Sequence, residues 1–392
     1  MVELRTICSI TSGQGAPQDN NEYVNGLHTF IKASDLDTII KDDSEVNSTK
    51  ITEQAIKKHN YKIFPKNTII FAKSGQSCKK NRVYLTKEKS CIVNHLCCLY
   101  DIDKKYDPKW LKLFIKSFNV TKLIRDDSYP SIALKDISCI QVPEIEITKQ
   151  REIVVLIDAM NRLLSNKKEQ LKQLDEVVKS RFIEMFDTID MSEERKDWIE
   201  LEKISKIYSG TTPSTKDEEN WNGDIPWITP AEMNKDTFYI TDTVRKITEK
   251  GRKSKSLEMM PANTVLLSTR APIGKVGITG IPMTCNQGFK NFGCGDKLNP
   301  IYLYILLKEN TEYLNSLGSG TTFLEVSKSK IAKTKIPIPP IELQNTFAEF
   351  VKQVDKSKFV NPLSQEFFMR NFYVFIIYHC ITKGCINFCM PK

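Results

Sequence analysis

IELEKISKIYSG at residues 199–210 repeats VELRTICSITSG at residues 2–13. The echo continues at nearly the same offset. FIKASDL (30–36) answers WITPAEM (227–233), and FPKNTIIF (64–71) answers MPANTVLL (260–267), each of the latter an apolar, strand-like run introduced by a Pro-x-Asn-Thr turn. ISCIQVPEIEITKQ (137–150) answers IAKTKIPIPPIELQ (331–344), both closing on a proline-marked strand and a helix start. The chain is therefore a tandem duplication with a period of about 195 residues, too long for a solenoid repeat and suited to a whole domain. Between the matched blocks the halves diverge, as in NRVYLTKEKSCIVNHLCC (81–98) against GKVGITGIPMTCNQGFKN (274–291), so scaffold is kept while surface varies.

The segment joining the halves reads as one long helix. From Ile153, the residues Ile157, Met160, Leu164, Lys167, Leu171, Leu174, Val178, Arg181 and Met185 follow at alternating steps of three and four, and only Lys167 and Arg181 are polar. This is a coiled-coil seam on a helix from about Thr148 to Phe186, on the order of 55–60 Å long. A face of a compact bundle is the plainer reading, but a bundle needs helical neighbours and the flanking segments read mainly as strands. After the second half a similar helix starts with Ile341, Phe347, Phe350 and Val354 on one face, then gives way to a tail rich in aromatics and cysteines. The expected class is α+β: two pseudo-symmetric mixed α/β domains separated by long helices that form an antiparallel coiled coil. The expected organisation is a first domain at 1–146, a central helix at 147–190, a second domain at 191–340, the start of a second helix at 341–360 and an atypical tail at 361–392.

A length of 392 residues agrees with two domains, and 40% hydrophobic with 27% charged residues is ordinary for a globular chain. The net charge of +9 is gathered in CKKNR (78–82), KGRKSK (250–255) and KSKIAKTK (328–335), which makes nucleic acid the first partner to consider. Any one lysine run reads equally well as a solvated face. No secretory leader opens the chain, and its longest apolar run, FYVFII (372–377), is far short of a bilayer span, so a cytoplasmic location is expected. Eleven cysteines without CxxC spacing read as reduced core thiols. His379, Cys380, Cys385 and Cys389 are zinc-binding types at a spacing that fits no common site, and read as structural.

Catalytic signatures are missing. The only Pro-Pro, in IPIPPIEL, lacks the Asn or Asp before it and the aromatic after it that hold a target base amine in DNA methyltransferases. There is no P-loop, GSG at 318–320 is a glycine turn, and no GxSxG accompanies His28, His59, His95 and His379.

Several loops have the composition of a DNA reader. TSGQGAPQ (11–18) and YSGTTPST (208–215) offer small residues that let a backbone approach a phosphate, making Ser12, Gly13, Gly210, Thr211 and Thr212 candidates. STRAPIGKV (268–276) and CNQGFKN (285–291) carry Arg270, Lys275, Asn286, Gln287 and Lys290, side chains of the types that read guanine and adenine edges. Thr321 and Thr322 add hydroxyls, and Lys73, Lys79 and Arg82 are the basic candidates of the first half. Ordinary interstrand loops are the plain alternative.

With these motifs in view, the sequence resembles the specificity subunits of type I restriction-modification systems. The matching features are IELEKISKIYSGTTPS, WITPAEM, PANTVLLSTRAPIGKVG, CNQGFKNF, GSGTTFLEVSKSKI, IPIPPIELQ and the long helix, over residues 2 to about 358; the first half departs more, keeping SGQGAP, PKNTIIFAKSG and a bare Asn94. The resemblance implies a subunit without catalysis that holds two target-recognition domains apart on antiparallel helices, each reading one half of a split, asymmetric site in double-stranded DNA. It also implies two adenine-methylating subunits docked on the helices, here at Ile157, Met160, Leu164, Leu171, Leu174 and Val178, and ATP-driven restriction subunits that translocate and cut. S-adenosylmethionine, ATP and Mg²⁺ would belong to those partners and no cofactor to this chain. A repeated protein-interaction scaffold and a self-contained DNA-modifying enzyme are the competing readings; a salt-dependent DNA complex separates the first from a DNA reader, and methyl transfer by the chain alone would revive the second.

Overall fold

The computed structural model describes residues 1–193, 195–234, 237–270, 272–320 and 324–359, with residues 357–359 described by backbone alone. Thr321, Thr322, the tail at 361–392 and its His379, Cys380, Cys385 and Cys389 lie outside the described residues. The described chain forms two compact units, residues 1–167 and 168–359, and the division falls inside one continuous 40-residue helix, Ile147–Phe186.

Both units have the same topology. In the first, a four-stranded antiparallel sheet has the order Ser9–Ser12, Leu96–Tyr100, Ile69–Ala72, Val83–Leu85, beside a three-stranded sheet of Lys50–Ile51, His28–Ile31 and Cys91–Ile92. In the second, Ser205–Ser209, Lys290–Cys294, Thr264–Leu267 and Val276–Thr279 take the same order, and Tyr239–Ile240 adds a fifth strand parallel to the last. Arg245–Ile247, Trp221–Ile228 and Thr284–Cys285 form its three-stranded partner. A short ladder closes each unit, pairing Val2 with Val142 in one and Ile199 with Ile336 in the other.

The repeated Pro-x-Asn-Thr turn persists because each of its residues has a task. Asn67 and Asn263 take left-handed φ values of 65° and 64°, which asparagine tolerates better than most residues. The hydroxyls of Thr68 and Thr264 donate to the carbonyls of Pro65 and Pro261 at 2.7 and 2.8 Å. Their backbone N–H groups donate to the hydroxyls of Thr86 and Thr279, at 3.0 and 2.9 Å, on the next strand.

A second duplicated device is a buried glutamine. Gln150 and Gln344 are both fully buried near the starts of their helices, Ile147–Phe186 and Ile341–Phe359. Gln150 Oε1 accepts from the N–H of Asp107 at 2.8 Å, and Gln344 Oε1 from that of Asn299 at 2.9 Å. Asp107 and Asn299 are in turn the N-caps of Pro108–Phe118 and Pro300–Glu309. The glutamine amide nitrogens donate to the carbonyls of Lys105 and Ile145 in the first unit and of Lys297 and Pro339 in the second. Each glutamine thus ties the proline-marked strand, the helix that follows it and the helix packed on the sheet.

The long helix contributes to both cores. Ile153, Val154 and Ile157 are buried with Phe30, Phe71, Leu99 and Trp110 in the first unit. Val178 and Phe182 are buried with Tyr302, Phe347 and Val351 in the second. There Phe186 and Phe182 meet Phe347, and Arg181 meets Phe350, so Ile341–Phe359 runs antiparallel to the end of the long helix. Of the residues expected to dock partners, Ile157, Met160, Leu164, Leu171, Leu174 and Val178, some are taken up by the chain's own packing. Ile157, Met160 and Val178 are buried, Leu174 packs against the second core, and Leu164 and Leu171 are half-buried. An apolar stripe is covered first by the chain that carries it. The apolar side chains left exposed on this helix include Leu156, Leu163 and Val177, separated by multiples of seven residues.

No disulfide joins the eight described cysteines, and six of them are buried. Burial pushes the thiols of Cys8 and Cys285 up to about 12 and that of Cys91 to about 11. Cys139, the exposed one of the eight, is expected to react first among them with iodoacetamide under native conditions, as read by peptide mass spectrometry. Equal labelling of Cys97 would show that the first core opens freely. Among the described residues no helix is long and apolar enough to cross a membrane.

Candidate nucleic-acid interface

In the second unit, four loops named from sequence converge at one end of the sheets. Thr211 N–H donates to Cys285 O at 3.2 Å, and Thr212 Oγ1 donates to Gln287 Oε1 at 2.6 Å, which ties the opening loop to the CNQGF loop. Thr269 N–H donates to Gly288 O at 2.8 Å, and Thr269 O accepts from Val326 N–H at 2.9 Å, bringing in the loops that carry Arg270 and Glu325. Two buried tryptophans support the opening loop from the three-stranded sheet: Trp227 Nε1–H donates to Thr211 O and Trp221 Nε1–H to Ser214 O, both at 3.1 Å.

The first unit builds the same crossing. Gln14 N–H donates to Ile92 O at 2.8 Å, Lys73 N–H to His95 O at 2.9 Å and Ile132 N–H to Lys73 O at 2.7 Å. Its opening loop is held by other side chains: Tyr61 OH donates to Gly15 O at 2.6 Å, and Tyr23 OH to Pro17 O at 2.8 Å. Glu22, with Lys58 and His59 against its carboxylate, lies below that loop, and the hydrogen bond from Lys58 holds its carboxyl below the ordinary glutamate range.

The candidates sort into exposed and committed groups. Arg270 is exposed, while Asn286, Gln287, Thr211, Thr212, Ser12 and Lys73 are half-buried along the crossing. Lys275 is a correction, because its ammonium donates to the carbonyls of Pro230 and Met233 at 2.8 and 2.6 Å and fastens the WITPAEM segment. Arg82 is another: its side chain is 10% exposed and 2.7 Å from Asp37, whose carboxyl it holds below the ordinary range. Lys79 is engaged with Asp127, donating to its carbonyl at 2.8 Å. Lys290 is only 8% exposed, donates to Phe289 O at 3.1 Å, and has its pKa lowered chiefly by burial.

The glycines also differ from expectation. A Cβ on Gly13 would lie 1.9 Å from Ile92 O, and one on Gly210 2.0 Å from Cys285 O. The Ser-Gly pair is thus required by close approach of two backbones within the protein, and the following N–H groups are used there rather than left for a phosphate. Residue type could not reveal Glu325, whose Oε2 lies 3.0 Å from Arg270 Nε, nor the Ser74–His95 pair, with Oγ and Nδ1 2.7 Å apart. The sequence signal for Glu325 was its place in GSGTTFLEV, a motif read for its hydroxyls.

Comparison with known proteins agrees with this architecture. The family model described as type I restriction modification DNA specificity domain matches residues 1–176 and 194–365. The MjaIX type I restriction enzyme specificity subunit of Methanocaldococcus jannaschii is 41% identical over 184 residues, covering 46% of this chain and 43% of that one. The EcoR124I/EcoR124II specificity subunit of Escherichia coli is 27% identical over 226 residues, covering 56% and 55%. The chain spans about half the length of these curated relatives. Two solved structures share the fold: the S subunit of a type I restriction-modification system from M. genitalium, with TM-score 0.56, 15% identity and coverage of 96% of this chain and 95% of that one, and a chain from a study of type I R-M complex assembly and conformational transition, with TM-score 0.58, 18% identity and coverage of 98% and 97%. Two matched copies of the domain, on the duplicated scaffold described above, place this chain in the type I restriction-modification DNA specificity domain family.

Proposed function

We propose that this chain is the non-catalytic sequence-specificity subunit of a type I restriction-modification complex, with each unit reading one half of a bipartite, asymmetric site in double-stranded DNA. One observation carries the reading: the same four-loop crossing is built twice on one backbone plan, with different side chains at equivalent places. That is the arrangement needed to read two different half-sites with one fold. Two methylating subunits, and restriction subunits joined to them, would bring S-adenosylmethionine, ATP and Mg²⁺, and the complex would act in the cytoplasm. The exposed Leu156 and Leu163, on the part of the helix that belongs to the first unit, are where we place docking of the methylating subunits.

The test exchanges residues 2–146 for the corresponding region of a relative and reads the methylated motif in a host carrying the methylating partner. One half-site is expected to change and the other to stay. Changes in both would count against two independent readers, and a chain that forms no salt-dependent DNA complex would favour a protein scaffold.

A further inference from the structure

We infer that Glu325 is a positioning residue for Arg270, and that the pair is the element by which the second unit selects guanine at one place in its half-site. The inference rests on the DNA-reading role proposed above.

The backbone fixes both residues. Arg270 and Glu325 face each other across an antiparallel bridge, and Glu325 is also bonded in both directions to Ser319, at 3.0 and 3.1 Å. Thr269 anchors the arginine side through its bonds to Gly288 and Val326. The side chains are 46% and 40% exposed, with Arg270 Nε 3.0 Å from Glu325 Oε2. A carboxylate paired with the guanidinium at its Nε side leaves the two terminal nitrogens as a forked donor, the arrangement that meets O6 and N7 of guanine. Among the described residues Arg270 makes no side-chain hydrogen bond, so its contact with Glu325 is an ion pair and its terminal nitrogens are not engaged elsewhere. Lys290, buried nearby, is also attracted to Glu325, which gives the carboxylate a second reason to stay in place.

An exposed ion pair that serves only stability is the plain alternative, and such pairs contribute little. The duplicated unit argues against it. There the same crossing carries Lys73 where Thr269 stands, and the equivalent bridge joins Ser74 to Ser131. The scaffold forms with two serines at this place, so the charged pair is dispensable to the fold. It is a difference between two readers built on one plan.

The experiment incubates the full chain, assembled with its methylating subunits, with a randomised double-stranded DNA library and sequences the bound fraction. It compares wild type with Arg270→Ser, Glu325→Ser, Glu325→Gln and the double serine variant, serine being the residue the first unit accommodates. Arg270→Ser is expected to reduce a guanine preference at one position by roughly 5- to 100-fold. Glu325→Ser should lose most of the same preference, Glu325→Gln should retain part of it, and the double variant should match Arg270→Ser because the carboxylate acts only through the arginine. Tighter binding to all sequences with the preference intact would make Glu325 a mask and overturn the inference. So would an unchanged preference, or losses that simply add. A wild-type complex that enriches no motif would bring down the DNA-reading role itself, and this inference with it.

Discussion

Gly210→Ala is expected to destabilise the second unit by about 3 kcal/mol or more, a cost typical of forced backbone displacement. The added Cβ would sit 2.0 Å from Cys285 O, 2.4 Å from Cys285 C and 2.5 Å from Asn286 O, all backbone atoms with no side-chain rotation to relieve them. Cys285 lies in the short strand that pairs with Trp227 and Ile228, and Asn286 N–H donates to Ile228 O, so relief means separating the opening loop from the three-stranded sheet. That would also break the Thr212–Gln287 contact and scatter the loops proposed to face DNA. Gly13→Ala should do the same to the first unit, where Ile92 O is 1.9 Å away. Gly15 supplies the control, since its Cβ would meet nothing within 4 Å. Denaturant unfolding followed by hydrogen exchange should show large, unit-specific losses for Gly13→Ala and Gly210→Ala and a small change for Gly15→Ala. If Gly210→Ala is as mild as Gly15→Ala, the backbone approach is wrong.

The duplication could be read from sequence because its recurring residues have local duties that only a few residue types perform. The Asn of Pro-x-Asn-Thr takes φ near 64–65°, its Thr bonds a carbonyl three residues back, and both choices show as letters. The long helix was equally visible in its alternating steps of three and four. The direction of individual cations was hidden, because their partners come from far along the chain. Lys275 is fastened to Pro230 and Met233, and Arg82 to Asp37, so residue type alone could not separate them from the exposed Arg270. The helical seam has a related limit: periodicity marks which face is apolar, while the tertiary fold determines whether that face is left for a partner. Ile157 and Val178 lie in the chain's own cores, and Leu163, outside the seam, is 62% exposed. The buried glutamines were in plain view as the last matched letter of both closing blocks. Their meaning needed Asp107 and Asn299 to be brought beside them.

Gln344→Leu is expected to cost on the order of 3 kcal/mol or more, because it leaves buried backbone groups without partners rather than merely losing one hydrogen bond. Leucine fills similar space, yet Asn299 N–H loses its acceptor and the carbonyls of Lys297 and Pro339 lose their donor. The helix Ile341–Phe359 would loosen at its start, and with it the packing of Phe347 against Phe182 and Phe186. Gln344→Glu separates lost hydrogen bonding from lost volume. An ionised carboxylate there could still accept from Asn299, but its other oxygen would face two carbonyls with no proton to give. The folded state would therefore raise the pKa of this carboxyl above the ordinary glutamate value. A raised folded pKa means that the variant's deficit relative to wild type is full above that pKa and shrinks as pH falls through it and the carboxyl gains a donor proton. Urea midpoints for wild type, Gln344→Leu and Gln344→Glu at several pH values between about 8 and 5 should show the Glu deficit narrowing on acidification while the Leu deficit stays nearly constant. A Glu deficit that is constant or grows as pH falls would mean that the amide nitrogen is not the donor this junction depends on.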